Sequence, residues 1–265
     1  MNDMHRPLIT IITVSYNAVS IIEATILSVI NQTYSNIEYI IIDGGSTDGT
    51  LDIIKKYENK IAKWISEPDK GIYDAMNKGI NLATGEWINF MNCGDSFYCN
   101  TIIDEIFSKA QATSDIIYGN TNEIFKIGNF IKKGSIPTSK NYMPFCHQSS
   151  FTRTSILKVN RFNITFKLCA DRNFYFHAFK NNHRFEYLDK TIANYEADAG
   201  LSAINTITIL KEIAKIEGKD NNFLWKLYFY IFVTNFRFKQ YLKSILPQKV
   251  VNTIKVYNQK KVTQE

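Results

Sequence analysis

The sequence has few of the residues that mark several large classes of protein. Its 265 residues include only four cysteines, with no C-x-x-C pair and no spacing to a histidine that would seat zinc. This excludes a disulfide-stapled scaffold and predicts reduced thiols in a cytoplasmic protein. The glycine-rich phosphate motifs are absent too: there is no G-x-x-x-x-G-K-[ST], and GGSTDG at 44–49 does not fit G-x-G-x-x-G. A P-loop hydrolase is therefore disfavoured.

Long apolar runs are also missing. Residues 1–7 are short and polar and precede only a brief apolar run, which predicts no signal peptide. The longest uncharged run of the C-terminal part, residues 227–236, is far shorter than the roughly 20 residues that span a bilayer. No segment of 20 to 50 residues repeats, so solenoids and propellers are disfavoured. The hydrophobic fraction of 45% and charged fraction of 21% are those of a globular protein.

Acidic residues are absent from 221–264, and this makes the charge uneven. Residues 203–265 hold eleven Lys and Arg against four Asp and Glu, a net +7, whereas residues 1–202 hold 20 against 21. Nine aromatic residues lie within 223–246. Aromatic rings interleaved with cations predict a helix that lies on an anionic membrane surface. A helix packed on the body or at a homodimer contact is the alternative, and the neutral body predicts no nucleic-acid partner.

The first hundred residues alternate between two hydrophobic periods, which predicts an α/β fold with a mostly parallel central sheet flanked by helices. The predicted strands are 8–14, 37–42, 64–66 and 86–91, and the predicted helices lie near 22–30, 51–61 and 72–79. From Asp115 the strand-like pieces become shorter (116–118, 123–125 and 129–132), which predicts an antiparallel second half. Helices are expected at 154–159 and 170–179. We predict a domain over 1–202 and a helical tail over 203–265.

Three polar clusters directly follow predicted strands: residues 15–17, 43–48 and 92–96. In an open α/β sheet, ligands bind beyond the carboxyl ends of the strands. Each cluster alone could be no more than helix caps and turns. Their shared position predicts a ligand site at this edge of the sheet.

Asp95 in the third cluster is a candidate metal ligand. Without a glycine-rich cradle, a diphosphate beside this carboxylate would be repelled unless a divalent cation lay between them. Mg²⁺ and Mn²⁺ commonly use one or two carboxylates together with phosphate oxygens. The sequence therefore predicts Mg²⁺ or Mn²⁺ as a cofactor.

Four segments resemble bacterial family 2 glycosyltransferases of the GT-A fold. They are TVSYN at 13–17, IIDGGSTDGT at 41–50, SEPDKGIYDAMNKGI at 66–80 and ATGEW at 83–87, and NCGDS at 92–96 looks like the family's Asp-x-Asp region. The resemblance covers roughly residues 7–200 and does not include the tail. It implies an enzyme that uses a nucleotide-sugar donor, with a UDP-sugar expected.

The resemblance also implies roles for individual residues in donor binding. The expected donor-binding residues are Ser15, Tyr16, Asn17, Asp43, Gly45 and Ser46 around the nucleoside, and Asp69, Lys70 and Gly71 closing over it. Asp95 matches the last carboxylate of the Asp-x-Asp motif, the one that meets the metal. Cys93 and Gly94 replace the first part of that motif. Gly44 replaces a frequent aspartate, so a strict uridine preference does not follow.

Asp171 matches the segment that supplies the catalytic base in inverting members of the family. A sugar hydroxyl is a poor nucleophile, and a positioned base typically contributes about 10²- to 10⁴-fold in rate. The alternative for Asp171 is a helix cap or an ion pair with a nearby arginine. His147 and Gln148 match a polar pair near the diphosphate or acceptor, although a lone histidine is often structural. Residues 194–202 resemble the loop that ends the family's domain.

These observations together predict an inverting glycosyltransferase. It would move a sugar from a nucleotide diphosphate to a glycan or lipid-linked acceptor in surface polysaccharide or lipopolysaccharide assembly, at the inner face of the cell membrane. A nucleotidyltransferase would need a glycine-rich basic loop after the first strand, where TVSYNAVS has none. A catalytically silent nucleotide-sugar-binding module is the other alternative, because the Asp-x-Asp region is reduced.

Overall fold

The computed structural model of the chain describes residues 6–197 and 205–245. Its strands are β1 Ile9–Ser15, β2 Ile37–Asp43, β3 Lys63–Ser66, β4 Trp87–Phe90, β5 Ser96–Phe97, β6 Ile116–Phe125, β7 Gly128–Lys132, β8 Ser150–Arg153 and β9 Phe185–Glu196. Its α-helices are α1 Ile22–Ile30, α2 Thr50–Lys56, α3 Ile72–Leu82, α4 Ile102–Phe107, α5 Thr154–Val159, α6 Ala170–Lys180, α7 Thr206–Ile216 and α8 Phe223–Ile245. Two short 3₁₀ helices cover Glu58–Lys60 and His147–Ser149.

The strands form one mixed sheet in the order β3-β2-β1-β4-β8-β6-β9-β5, and β7 pairs with β6. Strands β3, β2, β1 and β4 run parallel to one another. Beyond β4 the pairing becomes mainly antiparallel, with β8 antiparallel to both β4 and β6. The predicted parallel first half and antiparallel second half are confirmed, except that β6 and β9 are parallel.

Apolar side chains cover both faces of the sheet, as expected for strands with nearly continuous hydrophobic runs. Along β1, Ile9 and Ile11 face one core cluster with α1, while Ile12 and Val14 face the other with α3. Helix α3 approaches β1 closely, because a Cβ on Gly79 would lie 2.6 Å from Ile12 Cγ2. The close packing fixes where α3 and the loop before it sit at the sheet edge.

The parallel register brings the three polar clusters together at one edge of the sheet. Ser15 pairs with Asp43 at the ends of β1 and β2, and Asp43 pairs with Ser66 at the end of β3. The chain after β4 continues along β1, with the Cys93 N–H donating to Val14 O at 3.2 Å. The three loops therefore meet beyond the carboxyl ends of adjacent strands, as the sequence predicts.

The second half of the sheet differs from the prediction at Gly119. The sequence predicts 116–118 and 123–125 as separate short strands, and this is wrong, because both belong to one strand, β6. A Cβ on Gly119 would lie 2.4 Å from the Lys190 carbonyl oxygen, so the glycine permits a close approach of β9 at a register shift. Strands β5, β8 and β9 and helix α4 were not predicted.

The tail is helical in its described part, as predicted, but its two helices differ. Helix α7 packs on the core through Ala214 and Ile216, which are buried, and through Ile209 and Ile213. Helix α8 presents many exposed apolar side chains. Among the helices of residues 6–197 and 205–245, none combines the length and apolar character that crossing a membrane would require.

Candidate functional site

Asp43, at the end of β2, anchors the loop over residues 44–48. Its side chain is fully buried, and its carboxylate accepts hydrogen bonds from Ser15 Oγ, Ser46 Oγ, Ser66 Oγ and the backbone N–H groups of Gly45 and Ser46, at 2.5–3.0 Å. Burial alone would raise the pKa of Asp43, but these hydrogen bonds, above all from Ser46, hold it below its usual value. Asp43 therefore fixes the loops after β1, β2 and β3 relative to one another.

The loops after β1 and β2 are joined by a second set of hydrogen bonds. The Asn17 N–H donates to Ser46 Oγ at 2.8 Å, and Asn17 Oδ1 accepts the Thr47 N–H at 3.0 Å. Asn17 has a left-handed backbone conformation, with φ +46°, which asparagine tolerates better than most residues. The neighbouring Tyr16 is 66% exposed, so its ring is a free surface at this edge.

Asp69, in the loop before α3, lies against the backbone of Gly44. A Cβ built on Gly44 would be 2.5 Å from Asp69 Oδ2. Asp69 Oδ1 accepts the Gly71 N–H at 2.7 Å, and Gly71 has φ +116°, a conformation that favours glycine. Lys70 is exposed beside them. The predicted closing residues therefore adjoin the predicted nucleoside pocket.

The loop after β4 is a tight turn that places Asn92 and Asp95 side by side. The Asp95 N–H donates to Asn92 O at 2.9 Å, and Gly94 within the turn has φ +97°. Thr25 of α1 ties the turn down by donating to Asp95 O at 2.7 Å. Both side chains are only 7% exposed. The Asp95 carboxylate receives Gln148 Nε2 at 2.9 Å.

Asp171, in the first turn of α6, keeps spare acceptor capacity. Its Oδ1 accepts Tyr73 OH at 2.9 Å and the Arg172 N–H at 2.8 Å, and its Oδ2 lies 3.2 Å from His147 Nδ1. Burial would raise the pKa of Asp171, but the hydrogen bonds from His147 and Tyr73 outweigh it and lower the pKa. A carboxylate offers about four acceptor positions. One position on Oδ2 is thus left for a further proton donor.

His147 connects Asp171 to the loop after β4. Its Nδ1 faces the Asp171 carboxylate, which can only accept, so Nδ1 carries the proton. Its Nε2 then accepts from Asn92 Nδ2 at 3.0 Å. His147 thus contacts Asp171, the candidate base, and the next residue, Gln148, contacts Asp95, the candidate metal ligand. These two contacts join the two halves of the sheet at the site.

The residues around Asp95 fit a divalent cation. Burial raises the pKa of Asp95 to about 6, against the lowering effects of Gln148 and His147, so its negative charge is poorly compensated. Asn92 Oδ1 is buried without a hydrogen-bond partner. A cation bound by the Asp95 carboxylate and Asn92 Oδ1 would compensate the charge of the first and give the second a partner. Within the described parts of the chain, no group of three or more Cys, His, Asp or Glu side chains could hold a metal ion. Substrate phosphate oxygens would have to complete the coordination.

The structure brings all the predicted site residues to the same edge of the sheet, on two sides. One side holds residues of the loops after β1, β2 and β3, where donor binding is predicted, and the other side holds Asp95, His147, Gln148 and Asp171. Of the loop 194–202, residues 198–202, including Gly200 and Ser202, lie outside the described residues. Sequence reasoning missed Tyr73 and the side chain of Asn92. Both stand inside motifs that it did single out, IYDAMNKG and NCGDS.

The comparison of the sequence with known proteins agrees with this geometry. The model of the family described as Glycosyl transferase family 2 matches residues 10–181. A PGL/p-HBAD biosynthesis glycosyltransferase of Mycobacterium bovis is 31% identical over 221 residues, which cover 80% of this chain and 84% of that protein. A cholesterol galactosyltransferase of Borreliella burgdorferi is 29% identical over 141 residues, which cover 52% of this chain and 39% of that protein.

Two solved structures are similar in fold. A fragment of S. aureus TarS in complex with UDP matches with a TM-score of 0.62 at 20% identity, over 81% of this chain and 65% of that chain. The mannosyltransferase PcManGT from Pyrobaculum calidifontis, in complex with GDP-Man and Mn²⁺, matches with a TM-score of 0.63 at 15% identity, over 81% of this chain and 64% of that chain. The chain thus spans just under two thirds of both. At these identities the likeness shows the fold, which is the predicted GT-A fold.

Proposed function

The chain belongs to glycosyltransferase family 2, and from that premise we propose that it is an inverting, metal-dependent enzyme with a nucleotide diphosphate sugar as donor. The acceptor is a hydroxyl group of a glycan or a lipid-linked glycan, in the assembly of a surface polysaccharide. The observation that carries the proposal is the contact of His147 with both Asp171 and Asn92, at 3.2 and 3.0 Å. It places a carboxylate with spare acceptor capacity next to the loop that carries Asp95.

In the proposed reaction Asp171 takes the proton of the acceptor hydroxyl. The oxygen then attacks C1 of the donor sugar from the face opposite the diphosphate, which leaves with inversion. Tyr73 and His147 orient the carboxylate and leave one position of Oδ2 for the incoming hydroxyl. Asp95 and Asn92 Oδ1 would hold Mn²⁺ or Mg²⁺, which when bound neutralises the charge that grows on the leaving diphosphate. Gln148 orients Asp95 through its 2.9 Å hydrogen bond.

We assign the donor nucleoside to the loops after β1, β2 and β3. Tyr16 offers an exposed ring, and both Tyr16 and Asp69 lie against Gly44, with Lys70 and Gly71 next in the chain. Asp43, Gly45 and Ser46 hold these loops in place, because the acceptor capacity of Asp43 is already filled by protein donors. A UDP-sugar is the proposed donor. TarS was solved with UDP and PcManGT with GDP-Man, so both bases belong in the test.

The test is nucleotide release by the full chain from a panel of UDP- and GDP-sugars. We expect release with one sugar nucleotide in the presence of Mn²⁺ or Mg²⁺, and loss of release with EDTA. The anomeric configuration of the product, read by NMR, should be opposite to that of the donor. A product that retains the donor configuration would overturn the inverting mechanism while leaving the enzyme class intact.

Gly44→Ala should weaken donor binding without harming the fold. The new Cβ would lie 2.5 Å from Asp69 Oδ2, and the end of this side chain can swing away at little cost. We therefore expect an unfolding free energy within about 0.5 kcal/mol of wild type. The affinity for UDP with Mn²⁺, measured by calorimetry, should fall as much as in Asp69→Ala. Full affinity in Gly44→Ala beside a loss in Asp69→Ala would contradict the proposed geometry.

We propose that α8 binds the anionic inner surface of the cell membrane. Leu224, Leu227 and Ile231 are 71%, 48% and 51% exposed and lie at helical spacing, so they form one apolar stripe. Lys226 and Arg237 are exposed on the same helix, and their long side chains can extend towards lipid headgroups. No acidic residue occurs between 221 and 264. The charge of α8 and its surroundings thus complements an anionic surface.

The exchange of Leu224, Leu227 and Ile231 for serine should release the protein from vesicles. Each side chain is already exposed, so folding should be preserved, whereas lost burial in lipid costs about 3 kcal/mol in total, roughly 100-fold in partitioning. Flotation with phosphatidylglycerol-containing vesicles measures the effect, with pure phosphatidylcholine for comparison. The matched control exchanges Ile127, Ile131 and Ile136, also exposed, for serine. Dimerisation through α8 without vesicle binding would contradict the proposal.

A further inference from the structure

Helix α6, which carries Asp171, has no N-terminal cap of its own. Its N-cap residue is Cys169, whose side chain makes no capping hydrogen bond. Cysteine is a poor substitute for the serine, threonine or aspartate that usually holds the first N–H groups of a helix. The first turn of α6 therefore depends on a partner from elsewhere in the chain for its position.

Glu212 of α7 holds the three residues that lead into that turn. Its Oε1 accepts the Lys167 N–H at 2.7 Å, and its Oε2 accepts the N–H groups of Leu168 at 3.0 Å and Cys169 at 2.9 Å. Three consecutive backbone donors converge on one carboxylate, an arrangement that suits an anion at the positive end of a helix. The last of these donors is two residues from Asp171.

Helix α7 is itself held firmly against the core. Ala214 and Ile216 are buried, and Ile209 and Ile213 pack on the cluster that contains Cys169, Ala170 and Phe174. Glu212 therefore acts from a rigid element, and the segment before Asp171 is pinned between α7 and the core. On the other side, Tyr73 and His147 hold the carboxylate group itself.

We propose that Glu212 is a positioning residue for transfer, which acts through α6 to place the Asp171 carboxylate. This rests on the proposed role of Asp171 as base. The functional catalytic unit then includes α7, which lies beyond the predicted boundary at residue 202. A displacement of about 1 Å at a reacting group can cost about 100-fold in rate. Loss of the Glu212 carboxylate should have an effect of that kind.

The test compares full-length Glu212→Ala and Glu212→Gln with wild type. We expect Glu212→Ala to lower kcat about 10- to 100-fold. The KM for the donor should stay within about twofold, because the backbone groups that Glu212 binds belong to residues 167–169 and not to the proposed donor loops. Glu212→Gln keeps one acceptor oxygen, so its kcat should lie between those of Glu212→Ala and wild type. It replaces Glu212→Ala in the test if the alanine variant folds poorly. Amide exchange of residues 167–169 should accelerate in the same order. Glu217→Ala removes a charge just after the same helix and is the matched control, expected at wild-type kcat.

A double-mutant cycle with Asp171→Asn decides whether Glu212 acts through Asp171. If it does, Glu212→Ala lowers kcat in the wild-type background and has almost no effect in the Asp171→Asn background. Equal losses in both backgrounds, or a wild-type kcat despite faster amide exchange at 167–169, would overturn the inference. An Asp171→Asn variant with full kcat would instead overturn the base assignment, so the two failures are distinguishable.

Discussion

Asp171→Asn should reduce the transfer rate about 10²- to 10⁴-fold, the usual contribution of a positioned general base. The amide has nearly the same shape as the carboxylate but cannot take the acceptor proton. Donor affinity should remain within about twofold of wild type, because the donor loops lie on the other side of the site. Initial rates of nucleotide release at saturating donor measure the first effect, and calorimetry with UDP and Mn²⁺ measures the second.

The surroundings of Asp171 make this exchange informative about chemistry. The lowered pKa means that Asp171 is already ionised throughout the neutral range, so no change in rate between about pH 6 and 8 should come from its titration. Asp52→Asn is the control, since Asp52 is an exposed aspartate on α2. A wild-type rate in Asp171→Asn would mean that Asp171 has only a structural role, as the helix cap or ion-pair partner that the sequence analysis gives as the alternative. Equal loss of donor binding and rate would point to a disturbed fold.

The first half of the fold was predictable because each of its signals is local. A buried parallel strand appears as an apolar run such as IEYIII, and the polar residues that end it follow at once. Parallel strands place those ends at one edge, so 15–17, 43–48 and 92–96 had to meet. The predicted roles of Asp69, Lys70 and Gly71 came from the family resemblance, and the structure places Asp69 beside Gly44.

The second half could not be predicted in the same way, because its defining contacts are distant in sequence. Gly119 signals a turn in isolation, and only the Lys190 carbonyl on the neighbouring strand reveals that it permits close packing. The contact of His147 with Asp171 depends on how β8 enters the sheet between β4 and β6. The support of α6 by Glu212 crosses more than 40 residues and joins two segments that the sequence assigned to different domains.

The two buried aspartates Asp43 and Asp95 have pKa values shifted in opposite directions. This difference distinguishes a residue that stabilises the fold from one proposed to bind a cation. Asp43 accepts five protein hydrogen bonds and its pKa is lowered, so its ionised form stabilises the fold. Asp95 accepts hydrogen bonds from the Gln148 side chain and the Glu196 backbone, yet burial raises its pKa to about 6. The fold therefore tolerates an undercompensated charge at Asp95, as expected where a cation is to be bound.

Asp95→Asn should therefore abolish metal-dependent donor binding and at the same time stabilise the metal-free chain at neutral pH. Between about pH 4 and pH 6 the folded state binds more protons than the unfolded state, so the contribution of Asp95 to stability falls as the pH rises through this window. A pKa raised from 3.8 to about 6 means that, above pH 6, the ionised Asp95 lowers the free energy of unfolding by at most about 3 kcal/mol. Asparagine does not titrate and escapes this cost.

Thermal unfolding in EDTA at several pH values measures the effect directly. The Tm of Asp95→Asn should exceed that of wild type at pH 7.5, and the difference should shrink below pH 6 and vanish near pH 4. Mn²⁺ with UDP should raise the Tm of wild type and leave the variant unchanged, while nucleotide release falls by on the order of 100-fold or more, since a bound cation contributes several kcal/mol to the transition state. Asp43→Asn should instead lower the Tm at pH 7.5, because it removes an ionised group that protein donors stabilise. If both variants lost stability at neutral pH, Asp95 would be a structural anchor like Asp43, and the cation would have to bind elsewhere.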